Sequence, residues 1–152
     1  LAEIAVQTAK VARRFGVKPR VAMLSFSNFG TSSEMRTDRV EEAISIAREL
    51  DPDLIIDGPM QADTALVPEI QKEYPFMSFD GPANILICPN LASANIAYKL
   101  LQRIAGAEMT GPILEGLSKP AHVLQRGDSV RDVVHMAAIC AVDAQRHDWQ
   151  KL

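Results

Sequence analysis

Apolar residues recur along this chain in two alternating registers, one helical and one of short unbroken runs. Ile4, Thr8, Val11, Ala12 and Phe15 follow helical spacing, and Gly16 stands where a C-terminal cap belongs. Pro19 rules out further helix, and Arg20 to Phe26 reads as a short buried strand. A polar loop follows, Ser25 to Ser33. A second helix then shows Val40, Ala43, Ile44, Ala47 and Leu50 on one face, stopped by Asp51-Pro52. Its start is open between a Thr31–Glu34 capping box and a beginning at Thr37 or Asp38. Asp53 to Asp57 predicts a second strand broken by Gly58-Pro59, and a short helix is expected from about Asp63 to Tyr74. After a loop from Pro75 to Gly81, Asn84 to Cys88 predicts a third strand ended by Pro89.

The second half continues the alternation. Asn90 to Ile104 reads as helix with Ile96, Leu100 and Ile104 on one side, and Met109 to Leu114 as a weaker strand interrupted by Gly111-Pro112. Ser129 caps a last helix whose apolar face holds Val130, Val133, Val134, Ala137, Ala141 and Val142. Apolar strands alternating with helices imply an α/β fold with a parallel or mixed sheet covered on both faces. There is no internal repeat and no long linker. The chain starts at Leu1, already helical, and we read that start as a cut inside a longer protein.

Composition narrows the function classes. The 152 residues are 47% hydrophobic and 23% charged, with a net charge of −3, which gives no clustered excess of Lys and Arg for nucleic acid. No apolar run approaches the roughly 20 residues of a membrane-crossing helix. Cys88 and Cys140 each sit in an apolar stretch, which reads as two buried free thiols and a reducing, cytoplasmic setting. His122, His135 and His147 lack zinc-like partners, so no metal site is expected, and no nucleophile-elbow sequence supports a Ser-His-Asp triad.

Three places could carry chemistry. In open α/β sheets ligands sit at the carboxyl ends of strands, beside helix N-termini. There the Ser25 to Ser33 loop offers Ser25, Ser27, Asn28, Gly30 and Thr31, enough hydroxyls and free amides to hold a phosphate or carboxylate. An ordinary capped turn accounts for the same composition, and the absence of a GK[ST] tripeptide excludes a Walker A loop. The second place is Gln125 to Ser129. Arg126 could bind phosphate through its guanidinium fork and Asp132 could act as a base, or Ser129 and Asp132 could only cap the helix. The third is the helical pair Asn95 and Lys99, a cleft lining or a solvated face.

Several stretches, in order, resemble the C-terminal half of the phosphate acetyltransferase and butyryltransferase family. They are 19–27 (PRVAMLSFS), 57–63 (DGPMQAD), 83–89 (ANILICP), 95–99 (NIAYK), 111–120 (GPILEGLSKP) and the Arg126-Gly127 turn. The resemblance implies a three-layer αβα architecture, isocitrate/isopropylmalate dehydrogenase-like and here incomplete. Residues 1–120 would form the second subdomain, and 121–152 would belong with a mostly missing first one. It also implies coenzyme A as ligand, in a cleft between subdomains. Active members carry K-P-x-N-D-L-S-R-G and an Asp six residues past the Arg. Arg126 and Asp132 match, whereas Gln125 stands for the Ser, and His122-Val123 for Asn-Asp. Ser-Asn-Phe-Gly at residues 27–30 departs from the usual Ser-Thr-x-Gly.

These departures resemble the version fused behind the catalytic part of NADP-type malic enzymes. That version implies a regulatory and assembly role, with acetyl-CoA (or CoA) as effector and N-terminal malic enzyme domains in the same parent chain. It also implies a homo-oligomer. No cofactor is expected in this segment; NADP and a divalent metal, Mg or Mn, would belong to the malic enzyme part. An active phosphate acetyltransferase is the alternative.

Overall fold

A computed structural model of the chain describes residues 1–30, 35–79 and 81–145. They divide into two compact units, Leu1–Tyr98 and Lys99 onward. The division falls within one helix.

The first unit is built on a parallel sheet of three short strands, β1 (Val21–Leu24), β2 (Ile56–Met60) and β3 (Ile85–Ile87), in the order β2-β1-β3. Successive side chains of a strand point to opposite faces, and β1 sorts its residues accordingly. Val21 and Met23 enter one cluster with Ala5, Val6 and Ala9 of helix α1 (Ala2–Arg14). Val40, Ala43, Ile44 and Ala47 of α2 (Met35–Leu50) complete that layer. Ala22 enters a second cluster on the other face with Met60, Ala65, Phe79 and Ala83. The core therefore lies on both faces of β1, and the α/β expectation holds.

Several boundaries differ from the sequence expectation. Gly58-Pro59 does not break β2, which runs through it to Met60. Between the pairs Ala22↔Asp57 and Leu24↔Met60 the partner strand carries an extra residue, a bulge at Gly58-Pro59. Proline lacks an N–H, so the ladder tolerates it at an irregularity of this kind. The helix expected from Asp63 to Tyr74 is two short pieces, α3 (Ala62–Leu66) and α4 (Pro68–Gln71), because Pro68 restarts the turn. The face predicted for α2 is buried except Leu50, which is 56% exposed. The start of α2 is at Met35, and the proposed Thr31–Glu34 cap lies outside the described residues.

Helix α5 (Leu91–Ile104) buries no residue, and its predicted row of Ile96, Leu100 and Ile104 is exposed. In the second unit the expected strand at Met109–Leu114 is absent and the segment is irregular. Gly111 has φ 139° and Pro112 has no N–H, so neither can continue a ladder. The last helix, α6 (Val130–Ala144), forms as predicted. It buries Met136 and Asp143, while Val130, Val133, Val134 and Val142 are exposed. Cys88 and Cys140 are free thiols, half-buried rather than fully so.

Candidate functional site

The loop after β1 leaves the sheet at its carboxyl edge and is held there by main-chain bonds to the bulged strand. Ser25 N–H donates to Met60 O at 2.8 Å, and Phe29 N–H to Pro59 O at 2.7 Å. Asn28 and Gln61 then lock together. Gln61 N–H donates to Asn28 Oδ1 at 2.7 Å, and Asn28 Nδ2 donates to Tyr74 Oη at 3.1 Å and, longer, to Gln61 Oε1 at 3.3 Å. Gln61 Nε2 closes the ring by donating to Phe26 O at 2.7 Å. Asn28 therefore uses its amide to build the loop. Phe29, at φ 44°, lays its ring against Tyr74 and Phe76 with centroids 5.1 and 4.8 Å away.

Two of the predicted ligand residues keep polar capacity. Ser27 is only 7% exposed, and its hydroxyl has no partner among the described residues. Ser25 lines a cavity of about 420 Å³ with Leu1, Phe26, Arg39, Val40, Pro89 and Asn90. A strand end, the start of α5 and one guanidinium thus border the same space. Gly30, at φ 75°, sits where the chain turns toward α2. Thr31, with Ser32 and Ser33, lies outside the described residues. Burial pushes the thiol of Cys88, which precedes this edge, above its ordinary range.

In the second unit, Gln125 to Asp128 form a tight turn. Asp128 N–H donates to Gln125 O at 3.1 Å, and Asp128 Oδ2 accepts from Gln125 N–H at 2.6 Å. Gly127 takes φ 94°, the left-handed backbone that such a turn requires at its third position. Arg126, at the second position, is exposed. Ser129 and Asp132 form a reciprocal capping box on α6. Ser129 Oγ accepts from Asp132 N–H, and Asp132 Oδ2 accepts from the Ser129 amide at 2.8 Å and its hydroxyl at 2.7 Å. The Ser129 hydroxyl and amide, with His135 and Arg131 adding smaller effects, hold the Asp132 carboxyl below the usual carboxylate range. The capping reading of Asp132 is thus realised.

A cavity of about 250 Å³ opens at this helix start, lined by Asp128, Ser129, Asp132, His135 and, from the preceding segment, Glu108 and Thr110. Arg131 grips Glu108 through both terminal nitrogens, at 2.8 and 2.9 Å. The structure therefore brings Ser25, Ser27, Asn28 and Gly30 together in one loop, and Arg126 with Asp132 in one turn and helix start. Asn95 and Lys99 lie exposed one helical turn apart on α5. Among the described residues no cluster of His, Cys, Asp or Glu could hold a metal ion. No helix among them is long and apolar enough to cross a membrane.

Sequence reasoning missed two pairings. Asn28 with Gln61 joins residues 33 positions apart, and His122 Nε2 with Asp143 Oδ2, at 3.0 Å, joins residues 21 apart. No local signal marks either.

The chain resembles known proteins in sequence and fold. A family model described as phosphate acetyl/butaryl transferase matches residues 1–141. The chain is 47% identical over 148 residues to an NADP-dependent malic enzyme of Salmonella typhimurium, covering 95% of this chain and 19% of that protein. It is 43% identical over 145 residues to a phosphate acetyltransferase of Bacillus subtilis, covering 95% of this chain and 45% of that one. Among solved structures, a phosphotransacetylase from Streptococcus pyogenes aligns with TM-score 0.88 and 45% identity. That alignment covers 94% of this chain and 44% of that one. The chain thus spans less than half of each of these relatives.

Proposed function

The chain belongs to the phosphate acetyl/butaryl transferase family, and from that premise we propose that it is an acetyl-CoA-binding regulatory and assembly region whose own acyl transfer has been lost. The parent protein on this reading is a malic enzyme, which oxidatively decarboxylates malate to pyruvate with NADP and Mg or Mn held elsewhere in the chain. Residues 1–120 act as the second subdomain of the phosphotransacetylase-type unit. Residues 121–152 pack with a first subdomain, for which the exposed Val130 and Val134, one turn apart on α6, offer a suitable surface. Self-association of the parent enzyme and a cytoplasmic location complete the proposal.

The observation that carries it is Gln125. It stands where the family motif has serine, in a turn that still presents the matching Arg126. A guanidinium fork is suited to the phosphates of coenzyme A whether or not a reaction follows. A serine hydroxyl acting on the thiol contributes in the transition state, and only interactions gained there raise turnover. Loss of such a donor commonly costs ~3 kcal/mol, on the order of a hundredfold in rate. Binding retained with chemistry lost is the combination an effector site needs. Regulation then requires acetyl-CoA to favour one state of the parent enzyme over another.

The experiment is a coenzyme A-dependent release of phosphate from acetyl phosphate by the complete phosphotransacetylase-type region. The regulatory reading expects background rates and a rise with Gln125→Ser. Robust turnover by the unaltered protein supports the second reading, an active phosphate acetyltransferase. The 43% identity to a phosphate acetyltransferase and the presence of both Arg126 and Asp132 support that reading.

A further inference from the structure

Residues 105–129 contain no regular element, so the turn that carries Gln125 and Arg126 is not placed by a backbone ladder. Its C-terminal end is fastened by the Ser129–Asp132 box. Its N-terminal end runs back to His122, four positions before Arg126. The His122 side chain is 4% exposed and faces Asp143, 7% exposed, in the last turn of α6. Cys140, one turn earlier on α6, approaches Pro120 O at 4.0 Å, so the 120–122 stretch lies along that helix.

The imidazole is bonded on both sides. Nδ1 accepts from Leu114 N–H at 3.2 Å, and Nε2 lies 3.0 Å from Asp143 Oδ2. A ring nitrogen that accepts an N–H carries no proton, so the neutral ring bears its proton on Nε2, directed at the carboxylate. One buried side chain thus joins a backbone amide eight positions before it to a helix twenty-one positions after it.

We propose that His122 is a positioning residue: by joining the Leu114 amide to the Asp143 carboxylate it holds the irregular segment along α6 and so sets the placement of the Gln125–Arg126 turn. Its consequence for ligand binding rests on the acetyl-CoA reading above; the positioning itself does not. Asparagine reaches only as far as Nδ1 and can serve Leu114, whereas glutamine reaches toward Nε2 and can serve Asp143. Leucine serves neither.

Three measurements test it. A long-range ¹H–¹⁵N spectrum is expected to show the Nε2–H tautomer, and an Nδ1–H tautomer overturns the geometry. Amide exchange across 123–128 is expected to quicken roughly tenfold or more in His122→Leu, because a buried group is orphaned, while amides within Ala137–Ala141 and β1 stay protected. His122→Gln is expected to restore part of the protection. Exchange like that of the unaltered protein, or equal loss throughout α6, overturns positioning. Third, acetyl-CoA is titrated into the complete region carrying Arg126→Ala or His122→Leu, expecting roughly tenfold weaker binding for His122→Leu. If Arg126→Ala abolishes binding and His122→Leu leaves it intact, positioning falls while the effector reading stands. If the unaltered protein does not bind, the effector reading falls and the exchange result alone decides positioning.

Discussion

Replacing Gly58 by alanine tests how the sheet supports the loop at its edge. An added Cβ would stand 2.6 Å from Met23 O, 3.0 Å from Met23 Cβ and 3.3 Å from Met23 C. Met23 is 1% exposed and belongs to the central strand, bonded on both sides, so it cannot yield as a flexible side chain would. Gly58 also has φ 140°, which L-residues rarely adopt. Backbone strain of this kind costs about 1–3 kcal/mol, and overpacking a filled core about another 1–3 kcal/mol. The expected destabilisation is therefore about 2–6 kcal/mol. For a chain of this size that lowers the melting midpoint by roughly 4–24 °C. Because Pro59 O and Met60 O receive the Phe29 and Ser25 amides, those two amides should also lose exchange protection.

The control is Gly16→Ala. Gly16 has φ 73°, but a Cβ there would meet nothing within 4 Å, so only the backbone cost of about 1–2 kcal/mol applies. Urea unfolding of both variants measures the difference. If Gly58→Ala is no more harmful than Gly16→Ala, the close approach of the bulge to β1 is not what the geometry implies.

Two other predictions concern titrating groups. The folded Asp132 carboxyl is held below its ordinary range, so it stabilises α6 above that range, and the stabilisation disappears as pH falls through the lowered value. The wild type should thus exceed Asp132→Asn in α6 protection at neutral pH, with the gap closing in acid; a gap independent of pH refutes the capping contribution. Cys88, its thiol pushed up by burial, should react with iodoacetamide more slowly than a free thiol at mildly alkaline pH, and equal rates contradict that burial.

Helices and strands with strong apolar patterning are legible in the sequence as elements, and their buried face is legible where period and burial coincide, which they do not on α5 and α6. The α2 face and the Ser129 cap are instances. The face expected for α1 is not: the helix forms, but it buries Ala2, Ala5, Val6 and Ala9 and leaves Ile4 and Phe15 exposed, because small residues let it pack close to the sheet. Elements fixed by tertiary context are not. Gly58-Pro59 looks like a strand end, yet close approach to Met23 makes glycine necessary inside a bulge. Met109–Leu114 has strand-like composition but forms no strand, and Pro112 has no N–H to give to a ladder. At the candidate site, the loop and the arginine turn are visible as turn chemistry. The roles of Asn28 and His122 are not, because their partners, Gln61, Leu114 and Asp143, lie far along the chain. A buried polar group is satisfied by whatever the fold brings near it, and spacing rules do not reach that far.

The central claim is that Arg126 serves a binding site for acetyl-CoA. Calorimetric titration of acetyl-CoA into the complete phosphotransacetylase-type region, unaltered and as Arg126→Ala, tests it most directly. Saturable binding that disappears in the variant is the predicted result. Absent binding in the unaltered protein, or undiminished binding in Arg126→Ala, contradicts the claim.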